Sequence, residues 1–277
     1  MADIYGSHFE YSGISSRQYG LIIANVNTER QVILSGAKSG VTVFSRIAKK
    51  RYLIDDDYSD SAISFEIEII TDNGRCLELS ERRQIEKWLF NHRDYRKLYM
   101  DIADDVYGET YEYVDGKRLR NYLNCRLINP EKMEYNGGII GYKAILEADS
   151  NMYWQDTTIK EYTVNNGSSN VSTIITVNVD NDLEEYVYPK VTITIGSSGG
   201  DIVIANNTDD ETRLTKFIGV DAHSSIVMKG ELNYVGGQYY EKFQHRNFIR
   251  LLDGENKLML LGDINSIKIE YSARRMM

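Results

Sequence analysis

Gly196-Ser197-Ser198-Gly199-Gly200 has the G-x-S-x-G spacing of a serine hydrolase nucleophile turn. That turn works where a strand precedes the serine and a helix follows, so that the hydroxyl is lifted above a parallel sheet. Here Val191-Thr192-Ile193-Thr194-Ile195 alternates as a strand before it, and Ile202-Val203-Ile204 reads as another strand after it. The segment is expected to be a hairpin loop whose glycines permit positive φ. Ser198 is then a loop residue, not a nucleophile.

Metal and phosphate chemistry find no better support. The four histidines, His8, His92, His223 and His245, never fall at metal-ligand spacing. Asp55-Asp56-Asp57 lacks the alternate spacing of a calcium loop, and Asp180-Asn181-Asp182 lacks its turn glycine and closing glutamate. Both are expected to be solvated acidic loops. No Gly-Lys-Ser or Gly-Lys-Thr occurs, so there is no phosphate-binding loop. Cys76 and Cys125 make neither a metal pattern nor a disulfide framework. A single bridge between them stays open, with two lone buried thiols in a reducing compartment favoured. The residues imply no cofactor and no enzyme. A glycosidase would need two carboxylates about 5 to 9.5 Å apart, and among 41 acidic residues some pair qualifies by chance.

Two features suit binding better than catalysis. Tyr234, Tyr239 and Tyr240 flank Gly236-Gly237, an arrangement in which exposed rings would stack on a sugar; edge packing or a protein interface is the plainer use. Arg46, Lys49, Lys50 and Arg51 form a basic run followed at once by Asp55, Asp56 and Asp57. Residues 101–115 add Asp101, Asp104, Asp105, Glu109, Glu112 and Asp115 with no basic residue among them. Like charges so dense repel within a monomer. Meeting opposite charges on a neighbouring subunit, they would fix orientation and register; a merely solvated surface is the other reading.

The elements that must position these residues are mostly strands. The chain has 277 residues, enough for about two domains. It carries 21 Tyr and only two Pro, where average usage would give roughly 14 prolines, and abundant Tyr favours pleated, half-buried surfaces. Ile63 to Ile69 alternates as a strand, and Asp72-Asn73-Gly74-Arg75 reads as a turn. Ser80 is expected to cap a helix on which Ile85, Trp88 and Leu89 form one apolar stripe. Tyr95 to Met100 and Tyr107 to Val114 are expected to pair, followed by strands Leu119–Ile128 and Gly141–Ala148. Beyond a boundary placed near residues 150–160, strands are expected over Ser172–Val179, Lys190–Ile195, Ile202–Ala205, Leu214–Val220, Ser225–Lys229, Phe248–Leu252, Lys257–Leu261 and Ile264–Tyr271. That spacing describes a jelly-roll-like β-sandwich.

The net charge of −9 is spread evenly, −4 over residues 1–150 and −5 over 151–277, so no half offers the clustered Lys and Arg that nucleic-acid phosphates require. The first residues, Met1 to Gly6, lack a basic stretch followed by an apolar run, and no segment approaches 18 apolar residues. The chain is expected to be made and folded in a cytoplasm, without membrane insertion.

In order and spacing the landmarks resemble the distal tail proteins of long-tailed phages that infect Gram-positive hosts. Phe9-x-Tyr11-x-Gly13, then Ser15, Ser16 and Tyr19-Gly20-Leu21, is similar to that family's N-terminal signature. Ile85 to Phe90 with Trp88, then Tyr95-Arg96-Lys97-Leu98-Tyr99 and Asp101, is similar to its central stretch. Gly254-Glu255-Asn256-Lys257-Leu258, Ile267 to Tyr271 and Arg274-Arg275 are similar to its close, although Met276-Met277 stand where an aromatic residue is expected. The resemblance runs from about residue 4 to 275 and rests on the succession of motifs, no one of which is specific.

The resemblance implies a mainly β chain. Residues 1–152 would be an α+β domain, a β-sandwich or barrel with one helix, that assembles into a homo-hexameric ring. Residues 153–277 would be a galectin-like β-sandwich facing outward. It also implies a virion protein that joins the tail tube protein to the tail-tip protein and carries receptor-binding or baseplate proteins, DNA passing through the lumen without being held. Arg46, Lys49, Lys50, Arg51, Asp55, Asp56 and Asp57 are then the expected ring contacts. The alternative is a carbohydrate-binding module recognising host cell-wall polysaccharide through Tyr234, Tyr239 and Tyr240.

Overall fold

The computed structural model describes residues 8–26, 38–45, 50–58, 62–100, 111–114, 117–165, 172–182, 186–210 and 212–275. It divides into two compact units, residues 1–155 with 275–277, and residues 156–274.

In the first unit the strands are β1 (Phe9–Tyr11), β2 (Ile14–Ser15), β3 (Leu21–Val26), β4 (Lys38–Ser45), β5 (Lys50–Tyr58), β6 (Ser64–Thr71), β7 (Arg96–Met100), β8 (Tyr111–Val114), β9 (Lys117–Tyr135), β10 (Gly138–Ala148) and β11 (Tyr153–Gln155). Its main sheet runs in the order β2-β1-β7-β9-β10-β6-β3, with β8 and β11 also on β9. Arg96–Met100 and Tyr111–Val114 therefore both pair with β9, not with each other as their sequence suggested. β4 and β5 form a separate two-stranded hairpin.

One face of the main sheet is covered by helix α1 (Leu79–Phe90), whose stripe of Ile85, Trp88 and Leu89 is buried. Trp88 stacks on Phe9 at 5.7 Å and on Tyr19 at 5.2 Å, and its indole N–H donates to the Tyr11 carbonyl at 2.9 Å. The helix begins one residue before Ser80, which lies inside its first turn and is not the cap. Glu78 is the N-cap residue, and Glu81, the third residue of the helix, reaches back to accept its backbone N–H at 3.0 Å. Both guanidinium arms of Arg75 hydrogen-bond Glu81 at 2.8 Å. These bonds, Arg75 first and the Glu78 N–H second, hold the Glu81 carboxyl down to about 2.

β9 is longer than its sequence suggests. Asn129-Pro130 interrupts the apolar alternation, yet the pairing with β10 resumes beyond it. Asn129 adopts φ +52° and the register shifts there, so a bulge absorbs the proline's missing donor. Asn136-Gly137, at φ +48° and +78°, then turns the chain into β10.

The second unit holds β12 (Thr158–Thr163), β13 (Ser172–Val179), β14 (Lys190–Ile195), β15 (Gly200–Asn206), β16 (Leu214–Val220), β17 (Ser225–Lys229), β18 (Tyr234–Val235), β19 (Phe243–Arg246), β20 (Gly254–Leu261) and β21 (Ile264–Tyr271). The last strand, β22 (Arg274–Arg275), ends in Arg275, which is counted with the first unit. Two five-stranded sheets, β12-β21-β14-β17-β18 and β13-β20-β15-β16-β19, share one core of alternate side chains, giving a β-sandwich. Val191, Ile193 and Ile195 point inward, while Thr192 and Thr194 between them do not. Phe248–Leu252, expected as a strand, contributes only a bridge between Leu251 and Val187, and the strand lies earlier, at β19.

Several buried polar groups in this unit are tied to one another, which offsets their desolvation. Asn206 donates to the Asn256 side-chain oxygen at 2.8 Å and to the Arg250 carbonyl at 2.9 Å. Arg250 grips Asp209 with two hydrogen bonds, 2.7 and 2.9 Å, and lies 3.6 Å over the Tyr186 ring.

Candidate functional site

The outer face of the β12-β21-β14-β17-β18 sheet carries a row of charged and aromatic side chains. Cross-strand register sets Glu270 beside Lys190, Lys190 beside Lys229, and Lys229 beside Tyr234. Lys190 binds Glu270 at 2.7 Å, and Lys268 bridges Glu270 and Glu161 at 3.7 Å each. Hydrogen bonding from Lys190 outweighs burial and holds the Glu270 carboxyl below its usual range. The Lys229 ammonium lies 5.8 Å from the centre of the Tyr234 ring. Beside this row is an open hollow of about 540 Å³, lined among others by Lys190, Val227, Lys229, Tyr234, Gly236 and Gly237.

The three tyrosines do not form a single exposed platform. Tyr234 and Tyr240 are 47% and 48% exposed, but Tyr239 is 2% exposed and belongs to the sandwich core, where no sugar can stack on it. The sequence hid this because Gly237–Tyr239 forms a 3-10 turn that rolls its last residue inward. The hydroxyl of Tyr240 accepts from Arg246 at 3.0 Å. That of Tyr239 is buried with no hydrogen-bond partner. Tyr239→Phe removes a desolvated hydroxyl and leaves the ring in place, so it is expected to leave the urea midpoint unchanged or to raise stability by up to about 1 kcal/mol. A loss of 2 kcal/mol would show that the hydroxyl has a partner in solution.

Ser198 sits in the expected loop between two strands. Gly199 and Gly200 take φ +65° and +108°. The loop is organised by a residue that the motif did not reveal, the buried Asp263, whose carboxylate accepts the backbone N–H of Ser198 at 2.5 Å and of Gly199 at 3.2 Å. Among the described residues no side-chain base hydrogen-bonds the Ser198 hydroxyl. Asn181, read as a solvated loop residue, is buried and structural. Its N–H donates to Asp253 and its side-chain oxygen accepts from the Arg274 N–H. Among the described residues no three His, Cys, Asp or Glu side chains gather as a metal site, and no helix is long and apolar enough to cross a membrane. Both cysteines are free, Cys125 buried as expected and Cys76 exposed, contrary to expectation. Burial pushes the Cys125 thiol well above its usual pKa, with Asp149 adding to the effect.

Of the charged runs, Arg46 and Lys49 lie outside the described residues, as do Asp101, Asp104, Asp105, Glu109 and Asp115. The backbone of Lys50, Arg51, Asp55, Asp56 and Asp57 lies on β5, in register with Ser45, Phe44, Val41, Gly40 and Ser39 of β4. Basic and acidic runs thus occupy the two ends of one hairpin strand, roughly 13 Å apart at the rise of an extended chain.

Comparison with known proteins identifies the lineage. Residues 4–150 match the family model described as the phage tail protein N-terminal domain, and residues 154–271 match the phage tail C-terminal domain. Among solved structures, the Dit protein of phage SPP1, described as a paradigm of the hub adsorption apparatus in phages infecting Gram-positive bacteria, shares 12% identity at a TM-score of 0.63. The match covers 98% of this chain and all of that one. The phage p2 baseplate in its activated conformation is similar in its calcium form (8% identity, TM-score 0.55, 98% and 99% covered) and in its strontium form (10%, 0.54, 97% and 98%). These likenesses are of fold. No curated protein matches in sequence.

Proposed function

We propose, from the premise that the chain belongs to the phage tail protein family, that it is the hub of a tail tip: a homo-hexameric ring joining the tail tube to the tail-tip protein and carrying the components that adsorb to the host. The observation that carries this reading is the end-to-end correspondence of both units, in order, with the SPP1 hub protein. It is a reading of a structural part whose surfaces are built for docking, with no chemistry assigned to it.

Physical arguments support it independently. A closed ring needs two different, complementary patches on each subunit, because a self-matching patch gives only a dimer. The oppositely charged ends of β5 offer such a pair along one hairpin strand. A net charge of −9 gives DNA passing through the lumen little to adhere to. The first unit makes the ring in this account, and residues Arg46 to Arg51 lie at its subunit contacts. Light scattering of the purified chain should then report about 190 kDa, six times the 31.8 kDa protomer. Reversing Arg46, Lys49, Lys50 and Arg51 to glutamate should shift the mass toward the protomer at unchanged circular dichroism. A variant that keeps the wild-type mass would remove these residues from the interface.

A further inference from the structure

We propose that the hollow beside Tyr234 binds a saccharide bearing a negatively charged group, with the ring of Tyr234 under the sugar and Lys229 against its anion. The inference goes beyond the hub reading and does not depend on it.

Three observations carry it. First, Gly236 and Gly237 have no reason inside the protein to be glycine. Gly236 sits at φ −52°, a backbone any residue adopts, and Gly237 is likewise outside the left-handed region. A Cβ at Gly237 would meet nothing within 4 Å, and one at Gly236 would meet only the Val227 carbonyl at 3.8 Å. Both residues line the hollow, so what their missing side chains preserve is its open space. Without a Cβ at either position, another molecule can approach the backbone closely.

Second, the charges facing the hollow are unequal in their satisfaction. Of the two lysines that line it, Lys190 spends its charge on Glu270 at 2.7 Å. Lys229 has no carboxylate within ion-pair distance among the described residues, and its recorded contact is the Tyr234 ring. In a chain of net −9 a cation left unpaired beside a cavity is where a ligand's anion gains most. Third, Tyr234 is half-exposed although β18 sets it directly beside Lys229. An aromatic ring in the wall of a pocket presents an apolar face, against which the C–H face of a sugar packs while its edge stays wet.

The open hollow of about 540 Å³ has room for a sugar ring. Ser225 and Gln238 on the rim supply a hydroxyl and an amide for sugar hydroxyls. An acidic peptide fits less well, because one unpaired ammonium and one ring give no repeating row for successive residues to meet.

The test is calorimetric titration of the full chain with glucose 6-phosphate, glucuronic acid, glucose and inorganic phosphate. At least one of the two acidic sugars should bind saturably and at least tenfold more tightly than glucose or phosphate, and the stronger of the two identifies the anion preferred. Gly237→Leu should abolish that binding by filling the hollow, and Lys229→Met should weaken it at least fivefold. Both variants should keep the wild-type unfolding midpoint and light-scattering mass, which separates failure of this site from failure of the ring. Phosphate binding as tightly as the phosphosugar, glucose binding as tightly as either acid, no binding at all, or full affinity in Gly237→Leu would each overturn the proposal.

Discussion

Trp88→Ala should lower the stability of the first unit by about 4 kcal/mol, the largest effect expected from any single truncation in its core. Trp88 is 5% exposed and touches two pieces of the chain at once, β1 through Phe9 and Tyr11 and the following turn through Tyr19. Removing a buried tryptophan to alanine typically costs about 3–5 kcal/mol in lost transfer and cavity formation. Loss of the indole N–H leaves the Tyr11 carbonyl short of a donor, adding roughly 1 kcal/mol. Trp88→Phe should recover much of the stacking but not the hydrogen bond, and so fall between the two. Urea unfolding followed by far-ultraviolet circular dichroism checks this order. Because β1 forms an outer part of the sheet and is fastened to the helix by this contact, Trp88→Ala should also reduce ring assembly. Stability within 1 kcal/mol of wild type in Trp88→Ala would mean that the helix is not fixed to the sheet as described.

Gly196→Ala should cost the second unit about 3–5 kcal/mol. A Cβ built at Gly196 would stand 2.0 Å from one oxygen of the Asp263 carboxylate. Asp263 is 3% exposed and holds the N–H groups of Ser198 and Gly199, so it cannot swing aside without leaving those donors or itself unpaired in the interior. Overpacking of a tight site costs roughly 1–3 kcal/mol, and a buried charged group losing its hydrogen bonds about as much again. Asp263→Ala with Gly196→Ala relieves the clash while removing the bonds, so the double variant should be less unstable than the sum of the two singles. Simple additivity would show that the glycine and the aspartate are not coupled.

The second unit was largely legible from its residues because its strands are half-buried with clean alternation. In β13 and β14 every buried position is Ile or Val and, Ile174 apart, the positions between them are polar, so the period is plain. The long β9 was harder. The Asn129-Pro130 step imitates a strand end, and only the register with β10 reveals it as a bulge. Asn136-Gly137 was the available sign that a hairpin lay beyond it. The helix itself was readable from Ile85, Trp88 and Leu89, but its start was not. Ser80 has the chemistry of a cap, whereas Arg75 and Glu81, six residues apart, fasten the first turn through contacts that no local pattern predicts.

The candidate site was visible in part. Its aromatic residues could be picked out, but their exposure depends on a single 3-10 turn that buries Tyr239 and leaves Tyr234 and Tyr240 outside. Lys190, Lys229 and Glu270 come from strands far apart in the chain, and only the pairing of β14 with both β17 and β21 sets them side by side. Asp263 escaped notice for the same reason, lying more than sixty residues from the loop it organises.

Negative-stain electron microscopy of the purified full-length chain tests the hub most directly, since a ring is seen without any ligand or label. The account predicts annuli with six-fold symmetry and an open centre. Single protomers in every field, or closed dimers with no central opening, at concentrations well above those of assembly would contradict it.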